Sequence, residues 1–163
     1  MTGAGSGIGR ATALAFAAAG AELVVSDIDE AAVKQTAAEI AARVSGEHGV
    51  PDIVVNNAGI GQAGAFLHTT AEQFDRVLDA NLGGVVNGCR AFGRRLVERG
   101  TGGHIVNVSS MAAYAPLQSL SAYCTKAATY MFSDCLRAEL DAADVGLTTT
   151  CPGLIDMNII NTT

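Results

Sequence analysis

Three glycines near the start of the chain restrict what can follow them. They stand in Thr2-Gly3-Ala4-Gly5-Ser6-Gly7-Ile8-Gly9, directly ahead of an apolar helical pattern from Ile8 to about Ala19. Gly3 lets the chain turn tightly off a strand, using backbone angles closed to a residue with a Cβ. Gly7 removes a side chain that would keep a diphosphate from the helix start, and Gly9 lets the helix press against a sheet. A helix N-terminus carries unpaired N–H groups and the positive end of the dipole, which suits a phosphate. Glycine-rich turns are common, and by itself this spacing fits a plain turn equally well.

The next segment shifts the balance. Leu23-Val24-Val25-Ser26 reads as a short buried strand ending at Asp27. In a βαβ dinucleotide unit, an acid about 20 residues past the glycines holds the adenosine ribose. Asp27 would also repel a 2′-phosphate, which favours NAD over NADP. The plainer alternative makes Asp27 or Asp29 the N-cap of a following helix.

Composition narrows the class. The chain has 163 residues, one domain by the usual prior, with 49% apolar residues, 19 glycines and a net charge of −6. The acidic balance and the lack of a basic cluster make nucleic acid and anionic membrane poor partners. Cys89, Cys124, Cys135 and Cys151 form no CxxC pair, and read as small buried hydrophobes in a reducing compartment rather than metal ligands. No apolar run approaches the ~18 residues of a membrane span. A soluble, cytoplasmic protein without a metal is expected.

Helix and strand patterns then alternate. Val33, Ala37, Ile40 and Val44 mark one buried helical face, and Ile53-Val54-Val55 is a buried strand delivering Asn56-Asn57-Ala58-Gly59. Thr70-x-x-Gln73 is a capping box opening a long helix with apolar Phe74, Leu78, Val85, Cys89, Phe92 and Leu96. Gly100, Gly102 and Gly103 end it. Ile105 to Val108 forms a strand running into Ser109-Ser110, a helix spans about Ser121 to Leu140, and a strand over Leu147 to Cys151 ends at Pro152-Gly153. This order predicts a doubly wound parallel sheet, three layers αβα, with ligands beyond the C-terminal strand ends. Asp27, Asn57, Ser110 and Pro152-Gly153 all fall at such ends.

Two places depart from that architecture. Only Met1 and Thr2 precede Gly3 where a strand is wanted, and helix passes directly to strand between Val44 and Ile53. The expectation is one domain over 1–163 that lacks residues at its N-terminus, near 44–50 and at its C-terminus. Its sheet would then be split at the centre.

Ser110, Tyr123 and Lys126 are the candidate catalytic group. A phenol serves as a general base near neutrality only with its pKa drawn well below ~10. An ammonium ~4 Å away supplies about 4 kcal/mol at an effective dielectric near 20, enough for a fall of about 3 units. Ser110 would hold the substrate oxygen beside Tyr123. The bland alternative leaves Tyr123 half-buried and Lys126 a solvated end. Asn81 falls on the stripe of Phe74, Leu78 and Val85, so its amide should be buried. It then either satisfies a neighbouring carbonyl or holds a water that relays a proton from Lys126.

Taken together, Thr2-Gly3-x-x-x-Gly7-x-Gly9, Asn56-Asn57-Ala58-Gly59, Asn81, Ile105-Val106-Asn107-x-Ser109-Ser110, the Tyr123–Lys126 pair and Pro152-Gly153 resemble the short-chain dehydrogenase/reductase family. The resemblance implies NAD on Gly3, Ser6, Gly7, Ile8 and Gly9, with Asp27 on the ribose. Asn57, Ala58 and Gly59 would lie along the cofactor, and Tyr123, Lys126, Pro152, Gly153 and Ile155 around the nicotinamide. It further implies an alcohol or ketone substrate, a proton relay through Asn81, and a homodimer or homotetramer built through the two long helices. One departure is plain. The family's tyrosine and lysine stand four apart, and here they stand three apart, which rotates the lysine from about +40° to about −60° around the helix. That spacing keeps open a rival expectation, a nucleotide-binding scaffold without turnover. A methyltransferase-like binder would leave Ser110, Tyr123 and Lys126 unexplained.

Overall fold

A computed structural model describes residues 1–27, 44–115 and 123–155. Helix α1 covers Gly7–Ala18, strand β1 Ile53–Asn56, helix α2 Ala71–Leu78, helix α3 Gly84–Arg99, strand β2 Gly103–Val108, helix α4 Cys124–Asp141 and strand β3 Val145–Thr150. A π turn over Asp79–Gly83 joins α2 to α3. The strands pair in parallel in the order β1-β2-β3, with Val54 opposite Ile105 and Ile105 opposite Leu147. Parallel neighbours need a crossover, and the helices between them supply it.

The expected split at the centre of the sheet does not occur. Thr2 N donates to Val55 O at 3.0 Å, and Thr2 forms a parallel bridge with Ser26. Ser26 N donates to Met1 O at 2.9 Å and the Met1 nitrogen to Val24 O at 2.8 Å. The parallel layer therefore runs Ser26, Thr2, β1, β2, β3. Met1 and Thr2 link both neighbours because each backbone unit bonds on both sides. The reading of 23–26 as a buried strand is corrected: among the described residues it pairs at one bridge, Ser26 with Thr2, and Val25 is 52% exposed because so little of it is paired and covered.

The core lies between the three strands and the α3–α4 pair. It joins Val54, Ile105, Val145 and Leu147 from the sheet to Val85, Cys89, Leu96 and Leu140 from the helices. The capping box forms as expected: Gln73 N donates to Thr70 Oγ1 at 3.2 Å, and Thr70 N donates to Gln73 Oε1 at 2.9 Å. The π turn alters the helical phase that sequence spacing predicted. Val77 rather than Leu78 is buried, and after the extra residue Asn81, Val85 and Cys89 face inward. Gly100 ends α3 at φ +68, the left-handed stop that glycine permits.

Of the cysteines only Cys89 is a buried hydrophobe; Cys124 and Cys135 are exposed and Cys151 is half-buried. The helix predicted from Val33 lies outside the described residues until 44–48, which are helical. Among the described residues, no helix is long and apolar enough to cross a membrane, and no cluster of His, Cys, Asp and Glu is placed to hold a metal ion.

Candidate active site

The site is built along one edge, where the strands end. At its first end lies the glycine turn. Gly3 and Gly7 adopt φ +63 and +50, so Gly7 is needed for its backbone as well as for its missing side chain. A Cβ on Gly9 would collide with Gly3 O and come within 2.6 Å of Asn57 Nδ2, which fixes why the helix start carries none. Ser6 precedes α1 but makes no side-chain cap, and the first turn holds no acid. Its N–H groups are therefore available to an anion.

Asn57 stitches this turn to β1. Its Nδ2 donates to Thr2 O and Gly3 O, both at 3.1 Å, while Asn57 N and Ala58 N donate to Thr2 Oγ1 at 3.0 and 3.1 Å. Asp27 sits on the other side of the turn, where its Oδ2 accepts from Gly5 N at 2.8 Å. Thr2 and Gly5, unassigned by the sequence reading, thus hold the loop together. No local pattern signals these roles, because the partners lie 55, 56 and 22 residues away.

At the second end the buried ammonium of Lys126 is the central feature. Lys126 is only 7% exposed, and its Nζ donates to Val108 O at 3.0 Å. A solvated lysine is thereby excluded. Burial brings its pKa down to about 8, partly offset by the nearby Cys151 sulfur. At neutral pH it is still mostly charged. Gly59 passes so close that an added Cβ would lie 3.0 Å from Lys126 Nζ and 2.9 Å from Asn81 Oδ1. Three sequence-predicted residues, Gly59, Asn81 and Lys126, therefore converge.

Asn81 is buried, with both amide hydrogens and its side-chain oxygen engaged. Oδ1 accepts from Ile60 N at 2.9 Å, and Nδ2 donates to Ile60 O at 3.0 Å and Thr125 Oγ1 at 3.1 Å. These contacts satisfy the Ile60 carbonyl and clamp the loop that follows Gly59. Ser110 and Tyr123 are less converged. Ser110 Oγ accepts from Ala112 N at 3.1 Å, starting a short 3-10 turn. Tyr123 precedes α4 at φ −67, half-buried. Among the described residues no hydrogen bond joins the side chains of Ser110, Tyr123 and Lys126. Pro152 O accepts from Met111 N at 2.9 Å, which brings the loops after β2 and β3 together, while Leu154 and Ile155 project outward.

Known proteins share the sequence pattern and the fold. The chain matches the family described as short chain dehydrogenase over residues 1–51 and 40–163. It is 76% identical to the probable oxidoreductase EphD of Mycobacterium tuberculosis over 187 aligned positions, covering 100% of this chain and 32% of that protein. The chain thus spans about a third of the EphD length. Since 187 aligned positions exceed 163 residues, at least 24 of them have no counterpart here. It is 34% identical to the L-xylulose reductase of Mesocricetus auratus, covering 95% of this chain and 70% of that one. Among solved structures, a short chain dehydrogenase/reductase from Burkholderia phymatum in complex with NAD superposes at TM-score 0.91 with 28% identity, over 99% of this chain and 66% of that one. A short-chain type dehydrogenase/reductase from Mycobacterium marinum gives TM-score 0.86 with 32% identity, over 98% and 73%. Sequence motifs, the parallel layer and these likenesses lead to one assignment: the chain belongs to the short-chain dehydrogenase/reductase family, a family of Rossmann-fold oxidoreductases.

Proposed function

We propose that this chain forms the NAD(H)-dependent site of an oxidoreductase interconverting a secondary alcohol and a ketone. The observation that carries the reading is the buried charged Lys126 beside Gly59 and Asn81, one helical turn from Tyr123. NAD fits the residues present. The uncapped start of α1 and the turn at Gly3, Ser6, Gly7, Ile8 and Gly9 would receive the diphosphate, and Asp27, held beside that turn by Gly5 N, would take the adenosine ribose. Asn57, Ala58 and Gly59 would line the cofactor's path, and Pro152, Gly153 and Ile155 its nicotinamide end. When bound, the cofactor accepts or returns a hydride.

The chain's own residues handle the proton. Ser110 orients the substrate oxygen, and the Tyr123 hydroxyl takes the carbinol proton or returns it to the ketone. Lys126 supplies the positive potential that favours the phenolate, and Asn81 fixes the loop against which Lys126 rests. The acid at Asp27 supports NAD over NADP by repelling a 2′-phosphate. The Burkholderia structure carries NAD, whereas a 33% identical pig relative is named carbonyl reductase [NADPH] 2, so both cofactors belong in the assay.

Alcohol oxidation over a substrate panel, with NAD+ and NADP+ compared, tests this. Turnover with NAD+ is expected, and Tyr123→Phe should lower kcat by about 10²- to 10⁴-fold, the range for a lost acid/base group. Cofactor binding without turnover on any substrate would instead identify a scaffold. Pairing into a homodimer or homotetramer would run through α3 and α4, where an open groove sets Gly93, Val97 and Leu136 beside the charged Arg90, Arg94 and Glu98. We also read the domain as lacking internal residues, which the split family match near 40–51 supports. An intact mass equal to 16.6 kDa would refute that.

A further inference from the structure

The buried face of α4 is polar where a core helix is ordinarily apolar. Of its five buried residues, Thr125, Lys126, Thr129, Ser133 and Leu140, only the last is a hydrocarbon. Thr125, Thr129 and Ser133 recur every four residues, which places them on one stripe. Their hydroxyls are all engaged. Thr125 Oγ1 accepts from Asn81 Nδ2, and Thr129 Oγ1 lies 3.1 Å from Asn81 O and 2.9 Å from Thr125 O. Ser133 Oγ donates to Thr129 O at 2.7 Å and accepts from Asn107 Nδ2 at 2.9 Å. Asn107 Oδ1 in turn accepts from Asn56 Nδ2 at 2.9 Å. The seam therefore runs from the middle of the sheet, along α4, to the π turn at Asn81 and the Ile60 loop.

We propose that Thr129 is a positioning residue: its hydroxyl, tied to the Asn81 carbonyl, sets the register of α4 against the π turn, and so places Lys126 in the site. Apolar contact is non-directional and tolerates sliding, whereas a hydrogen bond fixes two groups to a few tenths of an ångström. Three anchors act on the first two turns of α4. Thr129 and Thr125 bind Asn81, and the Lys126 carbonyl accepts from Ser109 Oγ at 2.7 Å. Among the described residues, the Thr129 hydroxyl bonds to Asn81 O and, within the helix, to Thr125 O. Its effect on the ammonium therefore passes through the register of α4. The catalytic consequence rests on the function proposed above, whereas the placement of Lys126 does not.

The two are separated by a direct readout. The chain has only two lysines, Lys34 and Lys126, so the Lys126 side-chain signal is assignable by NMR through Lys126→Met. In the wild-type protein it should titrate well below an ordinary lysine, with Cys151 the neighbouring group whose charge acts on it. Thr129→Val keeps the volume and removes the donor. It should raise that titration by about one unit as the ammonium gains water, and Thr129→Ser should restore it. Should Thr129→Val not fold, Thr129→Cys, a weaker donor, is read in the same way. In the alcohol oxidation assay, Thr129→Val should lower kcat about tenfold or more with KM little changed, the scale of a small misplacement. A lower Tm with an unmoved Lys126 titration overturns the positioning role. An intact Lys126 effect in a protein with no turnover overturns the function instead.

Discussion

The two ends of the strand edge differ in how far water reaches their bonds. At the glycine end, Thr2, Gly3, Ser26, Asp27 and Asn57 are half-buried or exposed, and backbone bonds of Met1 and Thr2 together with the side chains of Thr2, Asp27 and Asn57 join them. At the lysine end, Asn81, Asn107, Thr125, Lys126, Thr129 and Ser133 are buried, and side-chain bonds between four elements join them. Water competes for bonds at the first end and is excluded from those at the second. The glycine end is therefore expected to open locally before the lysine end, whose buried bonds hold one arrangement. A ligand bound at the first end would order it, while the second needs no such help.

Changes at the lysine end should give the largest effects. Lys126 has a folded pKa of about 8 against 10.5 unfolded, so below pH 8 its burial costs roughly 3 kcal/mol. The unfolded chain holds the extra proton between those values, so stability rises as pH passes from 8 to 10.5. Lys126→Met removes that slope. The gap between variant and wild type in urea unfolding should shift by about that amount over the window. Parallel curves would show that the ammonium is not buried.

At the glycine end, Gly9→Ala brings a methyl against Gly3 O, and overpacking of this kind costs about 1–3 kcal/mol. Loss of NAD+ binding should accompany it, while the Lys126 titration should stay in place; calorimetry and NMR on one sample would show whether the ends are independent. Smaller still, amide exchange should be faster at Thr2, Ser26 and Ala4 than at Ile105 and Asn107, and NAD+ should slow the first group only. Equal protection would erase the contrast between the two ends. Thr70→Ala, remote from both, should cost about 1 kcal/mol through the lost cap and leave binding untouched.

Much of this molecule is legible in one dimension because the relevant physics is local. The capping box at Thr70 and Gln73, the left-handed stop at Gly100 and the β-branched runs at Ile53–Val55 and Ile105–Val108 depend on near neighbours in sequence. The glycine positions follow from backbone angles. The polar seam was not legible. Thr125, Thr129 and Ser133 have the spacing of any solvated helix face, and nothing nearby in sequence announces Asn81 or Asn107 as partners. The phase slip at the π turn, which buries Val77 and leaves Leu78 partly exposed, was hidden for the same reason.

The sequence by itself determined the order of helices and strands, the glycine turn, the family and the residues that gather at the strand ends. Those follow from spacing and side-chain type. Only the tertiary structure decided that Met1 and Thr2 bond to Ser26 on one side and Val55 on the other, that Lys126 is buried, and that Asn81 clamps Ile60. Each of these rests on groups 18 or more residues apart meeting in space, in some cases more than 50 apart, and on the exclusion of water from some of them. Hydrogen bonding at such range is set by packing, which no local pattern encodes.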